Sequence, residues 1–280
     1  MLEMTQIIFT HANSFPASTY RFLFERLRKA GIKVEAIECI GHDPSYPVTS
    51  NWPMLVEQVK DFVLARSEHS REPLWLVGHS LGGYLSMMCA ASHPLLARSQ
   101  LRGVIVLDAP IIGGWKARGL RLIKRSPLVG ALLPGRLSRK RRRFWPDTHA
   151  VFEHFKPKRA FRRWHPAMLQ DYVECGTRDA VDRSGKPCRE LVFDRDIETA
   201  IYNSVPDHLE NFFKRQAIRC KIYYVGGKQS LEAKRIGLTS TLKWIANHPQ
   251  GKYIEVEGSH LFPMEQPEAT VELLISLLSE

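Results

Sequence analysis

The stretch Leu74-Trp75-Leu76-Val77-Gly78-His79-Ser80-Leu81-Gly82-Gly83 decides the fold. Four apolar residues in a row read as a buried strand. Gly-x-Ser-x-Gly reads as a sharp turn, and Gly83-Tyr-Leu-Ser-Met-Met-Cys-Ala-Ala91 continues as a helix. A serine at such a junction projects from a tight, strained turn. Its glycine neighbours lack a Cβ, so strand, turn and helix can approach closely. This strand–turn–helix order is what a nucleophile elbow requires.

Outward from the elbow, short apolar runs alternate with helical periodicity. Strands are predicted at 6–10, 34–40, 74–77, 103–107, 221–225 and 253–256, and helices at 18–30, 52–67, 83–93, 238–247 and 268–278. That alternation implies a doubly wound, mostly parallel sheet covered on both faces, with its chemistry at the carboxyl ends of the strands. The alternation breaks after Gly113 and resumes after Arg215. Residues 1–112 and 216–280 therefore form the expected α/β core. Residues 113–215, rich in Arg and aromatics and punctuated by proline, form an expected helical cap over the carboxyl edge of the sheet.

The chain has 280 residues, enough to bury a full core, and 25% are charged, as in ordinary globular proteins. No apolar run is long enough to span a membrane, and the segment before the first strand is too short and acidic for a signal peptide. Five scattered cysteines without C-x-x-C spacing point to free thiols, with Cys39 and Cys89 buried, in a reducing, cytoplasmic compartment. No His or Cys pair has metal-ligand spacing, and neither the dinucleotide fingerprint nor the phosphate loop occurs, so no metal or cofactor is expected.

With elbow, interrupting cap and a histidine after the last strand in place, the chain resembles the α/β-hydrolase superfamily. It is closest to bacterial serine-dependent hydrolases whose first loop reads His-Ala-Asn-x-Phe-Pro, here His11-Ala12-Asn13-Ser14-Phe15-Pro16. The resemblance implies a cap inserted after the family's sixth strand, Ser80 as nucleophile and His260 of Gly258-Ser259-His260 as general base. It implies an oxyanion hole from the backbone N–H of Leu81 and of Asn13, with Ser14 as the neighbouring alternative. His11, Ser14, Phe15 and His79 are expected to border the substrate, His11 as a brace of its loop and His79 as part of the elbow.

The third member is less direct. Many relatives carry Asp in the loop after the strand that here ends Tyr224-Val225-Gly226-Gly227, but the matching positions are Lys228-Gln229-Ser230. Asp108, at the end of the strand 103–107, is the first substitute and Glu232 the second; a site with no acid is the remaining option. The loop from Gly41 to Trp52 either walls the pocket or is a turn held by Asp43 with Trp52 in the core.

The resemblance thus implies cleavage of a small-molecule carboxylic ester, with an apolar acyl group expected from the Leu and aromatic content of the cap. Thioester, lactone or C–C hydrolysis by the same groups, or a non-catalytic scaffold, are the alternatives. Residues 111–170 hold sixteen Lys or Arg against Asp147 and Glu153, so the net charge of +11 belongs to the cap. A solvated surface, an anionic substrate and an anionic membrane surface each fit that charge. Nucleic acid is disfavoured because no recognition motif accompanies it.

Overall fold

The computed structural model describes residues 5–67, 70, 72–93, 100–126 and 135–280. The apolar part of the basic segment, 127–134, lies outside them. Six strands, β1 (Gln6–Thr10), β2 (Lys33–Ala36), β3 (Leu74–His79), β4 (Leu101–Leu107), β8 (Lys221–Gly227) and β9 (Gly251–Val256), form one sheet in the order β2-β1-β3-β4-β8-β9. Every pairing is parallel. These are the six strands expected from the sequence.

Period-two alternation builds a core on each face. Ile7, Phe9, Trp75, Val77, Ile105, Leu107, Tyr223 and Val225 join α1 (Arg21–Lys29) and α11 (Pro267–Leu278) on one side. Ile8, Leu74, Leu76, Val104, Val106, Ile222 and Tyr224 join α2 (Pro53–Ser67), α3 (Leu81–Ser92) and α10 (Leu238–Ala246) on the other. Because both faces are covered, the central strands β1, β3, β4 and β8 are largely apolar and buried rather than half polar.

Strand order reverses between β1 and β3: the chain goes from β1 outward to β2, then returns past β1 to β3 and onward. The crevice outside the carboxyl ends at such a switch point is where open α/β sheets bind ligands. Here the two loops that open from it are His11–Pro16 and the elbow.

Two expectations need correction. The strand predicted at 34–40 stops at Ala36. Beyond it the backbone N–H of Ile40 turns to the His11 ring, and His42 closes a turn on Cys39. The cap is also not wholly helical. Besides α4 (Gly114–Arg125), α5 (Gly135–Arg139), α6 (Thr148–Phe155), α7 (Pro166–Cys175), α8 (Arg195–Asn203) and α9 (Leu209–Arg215), it holds β5 (Phe144–Trp145), β6 (Thr177–Val181) and β7 (Pro187–Leu191). These pair antiparallel in the order β5-β7-β6. The cause is local: Asp182 accepts from the backbone of Ser184 and Lys186, closing a hairpin between two short alternating runs.

The cap is fastened to the core at several places. Asp171 on α7 accepts from Arg21 Nε and from the Phe22 backbone, both at 2.8 Å. Asp207 takes Arg121 and Lys124 of α4, and Lys124 also donates to Asn51 Oδ1 at 2.7 Å. The loop before α2 therefore serves the cap seam. Trp52 is buried, its indole N–H on Ser204, and Asp43 caps a turn at Ser45, which is the core-and-turn reading of that loop. Cys89 is buried, Cys39 is only partly so, and the five cysteines are free.

Candidate active site

Ser80 stands between β3 and α3 with φ +53° and ψ −114°, a conformation side-chain-bearing residues rarely hold. Its neighbours enforce it. A Cβ on Gly82 would lie 1.9 Å from the Thr10 carbonyl oxygen, and one on Gly78 2.3 Å from the Gly82 carbonyl. The turn is then tied into the sheet: Ser80 N–H donates to Leu107 O at 2.9 Å, and Gly82 N–H to His11 O at 3.1 Å.

Three side chains from three loops meet here. His260, after β9, has Nε2 at 2.9 Å from Ser80 Oγ. Its Nδ1 faces Asp108 Oδ1 at 3.4 Å, with the Asp108 side chain wholly buried at the end of β4. That contact is an ion-pair approach rather than a formed hydrogen bond; such bonds often tighten only when substrate is bound. Burial disfavours a charged His260, but the Asp108 carboxylate and the more distant charge of Glu232 outweigh it, raising its pKa above the usual 6.5. Glu232 itself is exposed.

Asp108 is held in an uncommon way. Its backbone has φ +49°. Oδ1 accepts from the Ser230 hydroxyl and Oδ2 from the Gly227 N–H, each at 3.1 Å. The loop that lacks a carboxylate thus supplies donors to the carboxylate of the neighbouring strand. Sequence reading singled out Ser230 as a missing acid; its value as a donor was legible only once β4 and β8 were side by side.

The first loop is a turn closed by Phe15 N–H on Ala12 O at 3.2 Å, with Ser14 at φ +80°. The cap secures it: Ser14 Oγ donates to Glu198 Oε1 at 2.6 Å and Asn13 Nδ2 to Glu198 O at 3.2 Å. Glu198 in turn binds Arg141 at 2.6 Å, and Arg141 also donates to the Tyr172 hydroxyl. Burial disfavours the charge on Arg141, yet Tyr172 and Glu198 more than offset it. One member of the basic run Arg139–Arg143 is therefore a half-buried strut, which the sequence did not indicate. Phe15 packs against Phe161, Trp164 and Tyr172 of the cap. Leu81 is the first residue of α3, where the N–H has no partner within the helix.

His11 and His79 are wholly buried with both ring nitrogens engaged, so they brace backbone and offer no free group to a ligand. His11 Nδ1 donates to Ala12 O and Nε2 accepts from Ile40 N–H, each at 2.8 Å. Burial lowers its pKa to about 4. His79 Nδ1 accepts from Tyr20 O–H at 2.7 Å and Nε2 donates to His260 O at 2.8 Å. Burial and the nearby His260 lower its pKa to about 3. Tyr20 was not foreseen; nothing in its sequence neighbourhood marks it.

With this geometry, the profile of the alpha/beta hydrolase family matches residues 7–273. The chain belongs to the alpha/beta hydrolase family. An uncharacterised abhydrolase domain-containing protein of Dictyostelium discoideum is 32% identical over 118 residues, 41% of this chain. The match spans 12% of that much longer relative. Among solved structures, E-2-(acetamidomethylene)succinate hydrolase superposes with a TM-score of 0.69 at 18% identity, covering 99% of this chain and 92% of that one. The thioesterase domain from the curacin biosynthetic pathway gives 0.68 at 17% identity, covering 98% and 92%. At such identities the likeness is one of fold. Among the described residues, no cluster of His, Cys, Asp and Glu is of a kind that holds a metal ion, and no helix is long and apolar enough to cross a membrane.

Proposed function

We propose that this chain is a serine hydrolase that cleaves a carboxylic ester through an acyl-enzyme, with Ser80, His260 and Asp108 as its catalytic triad. The observation that carries the reading is the 2.9 Å contact of Ser80 Oγ with His260 Nε2 at a strained elbow. A serine hydroxyl is a weak nucleophile until a base takes its proton, and Nε2 is within hydrogen-bond reach to do so.

Ser80 Oγ attacks the ester carbonyl carbon as its proton passes to Nε2, and the carbonyl π pair moves onto oxygen. The N–H groups of Leu81 and Asn13 receive that oxyanion, and each such donor contributes about 10²–10³ in rate. The Leu81 N–H adds the positive end of α3. Collapse expels the alcohol, which takes the proton from Nε2, and leaves acyl-Ser80. Water, deprotonated by His260, repeats the sequence and releases the acid. Asp108 orients His260 and favours its charged form between the steps.

Phe15, next to the oxyanion loop, joins the cap's ring cluster, which supports an apolar acyl group on that side. Hydrolysis of a thioester runs through the same steps with a thiolate leaving group; the likeness to a thioesterase domain supports that second reading. Five free thiols support a reducing, cytoplasmic setting.

A fluorescent fluorophosphonate tests the reading. The wild type is expected to label, and Ser80→Ala and His260→Ala are not. A p-nitrophenyl ester series of rising chain length then reads the acyl preference. Folded wild type that stays unlabelled overturns the proposal in favour of a binding scaffold.

A further inference from the structure

The basic residues of α4 divide by helical side. Arg121 and Lys124 point inward to Asp207, and Lys124 also donates to the carbonyl of Val205 at 2.9 Å. They seat the helix on the seam between cap and core. Arg118 and Arg125 pair with no acidic side chain among the described residues, and both are exposed. They share their side with Trp115, 77% exposed, and Leu122, 68% exposed. Positions 115, 118, 122 and 125 are spaced three, four and three apart, which places them on one stripe of an α-helix.

We propose that this outer stripe of α4 docks the protein on an anionic lipid bilayer surface. Single exposed apolar side chains are ordinary. Two large ones alternating with two unpaired guanidinium groups along one stripe form an interfacial face. An indole sits at the headgroup–acyl boundary with its N–H toward water, and leucine inserts beside it. Arginine stems run along the apolar layer while their heads reach lipid phosphates. The charge is complementary on a larger scale as well, since residues 111–170 hold sixteen cations against two acids. A nucleic-acid strand would gain no stacking from Leu122 and no groove from a stripe one side chain wide. The inference stands apart from the hydrolase reading: docking requires neither Ser80 nor a substrate.

Co-sedimentation of the full chain with vesicles of phosphatidylcholine containing phosphatidylglycerol, against phosphatidylcholine alone, is the test. The wild type and Ser80→Ala are expected to bind the anionic vesicles equally and to be released by salt. Arg118→Glu with Arg125→Glu weakens binding by at least roughly 30-fold, since each lost cation costs about fivefold before the reversed charges add their repulsion. Trp115→Ser with Leu122→Ser weakens it at unchanged salt sensitivity. All four side chains are on the outside, so melting temperature and hydrolysis of a soluble ester stay at wild-type values. Wild type that ignores anionic vesicles, or either double variant that binds them as wild type does, overturns the proposal. So does tighter retention on RNA that is indifferent to Trp115→Ser and Leu122→Ser. Loss of fluorophosphonate labelling with vesicle binding intact would sink the hydrolase reading alone.

Discussion

His79 Nε2 lies 2.8 Å from the carbonyl oxygen of His260, so the residue before the elbow serine carries the backbone of the histidine that faces that serine. The bond fixes the tautomer. Nε2 must donate, so Nδ1 accepts from the Tyr20 hydroxyl, and Tyr20 O in turn accepts the Ala12 N–H at 3.2 Å. Burial pushes the Tyr20 pKa up and keeps the phenol protonated for its donor role. First loop, elbow and histidine loop are thus joined by one directed chain of hydrogen bonds.

Tyr20→Phe breaks that chain at its centre. It leaves His79 Nδ1 and the Ala12 N–H buried without a partner, a cost of about 1–3 kcal/mol for each group left unsatisfied. Chemical denaturation is expected to register a loss in that range. Ester kinetics are expected to show a lower kcat with KM little changed, because the groups displaced act on the reacting atoms rather than on substrate binding. A fall in KM alone would contradict the relay.

Asp108→Asn removes the charge that holds the His260 pKa above 6.5. A drop in kcat of about 10⁴-fold at neutral pH is expected, as for other triads that lose this carboxylate. The sign of the pH effect follows from the base's role: His260 must be neutral to take the Ser80 proton, so activity falls as pH drops through its raised pKa. In the variant the acidic limb of kcat/KM moves to lower pH. Exposed Glu232, changed to Gln, shifts that limb slightly and leaves most of the rate. A Glu232→Gln variant that loses as much as Asp108→Asn would reassign the acid.

Gly82→Ala is expected to prevent folding to the native state. The added methyl meets the Thr10 backbone at 1.9 Å, and no flexible side chain is there to yield. Soluble yield and circular dichroism read the outcome, and a variant with native stability would refute the close approach of β1 and α3.

Acid should destabilise the fold below about pH 6.5. His11 and His79 are neutral and buried in the folded state, with pKa values of about 4 and about 3, whereas the unfolded chain binds protons near 6.5. Depressed histidine pKa values mean stability is lost as pH falls from 6.5 toward those values. Each contributes about 1.4 kcal/mol per pH unit once the unfolded residue is protonated. His260 acts in the opposite sense, but only above 6.5, because its folded pKa is the higher one. Denaturation midpoints at successive pH values from 7 to 5 check the slope.

Elbow, sheet and the two loops of the crevice were legible in the sequence because each is written locally. Apolar runs of strand length, Gly-x-Ser-x-Gly before a helix, and His-Ala-Asn-x-Phe-Pro after the first strand need only near neighbours to be read. The hairpin 177–191 was missed because its alternating runs carry charged residues that mimic a helix surface. Which carboxylate faces His260 was not local at all. Asp108 and Glu232 were both available to the sequence. The structure sets Asp108, buried, against His260 because β4 lies beside β8, whose following loop supplies the donors Gly227 and Ser230.

The same distinction runs through the cap. Sequence alone determined that its charge is basic and that it interrupts the sheet between β4 and β8. Only the tertiary structure decided which cations turn inward to a buried carboxylate and which face water: Arg141 and Lys124 find Glu198 and Asp207 across long stretches of chain, while Arg118 and Arg125 find none among the described residues. A buried charge must be met by a partner brought from elsewhere in the fold, and that meeting depends on three-dimensional distance, which composition and spacing do not encode.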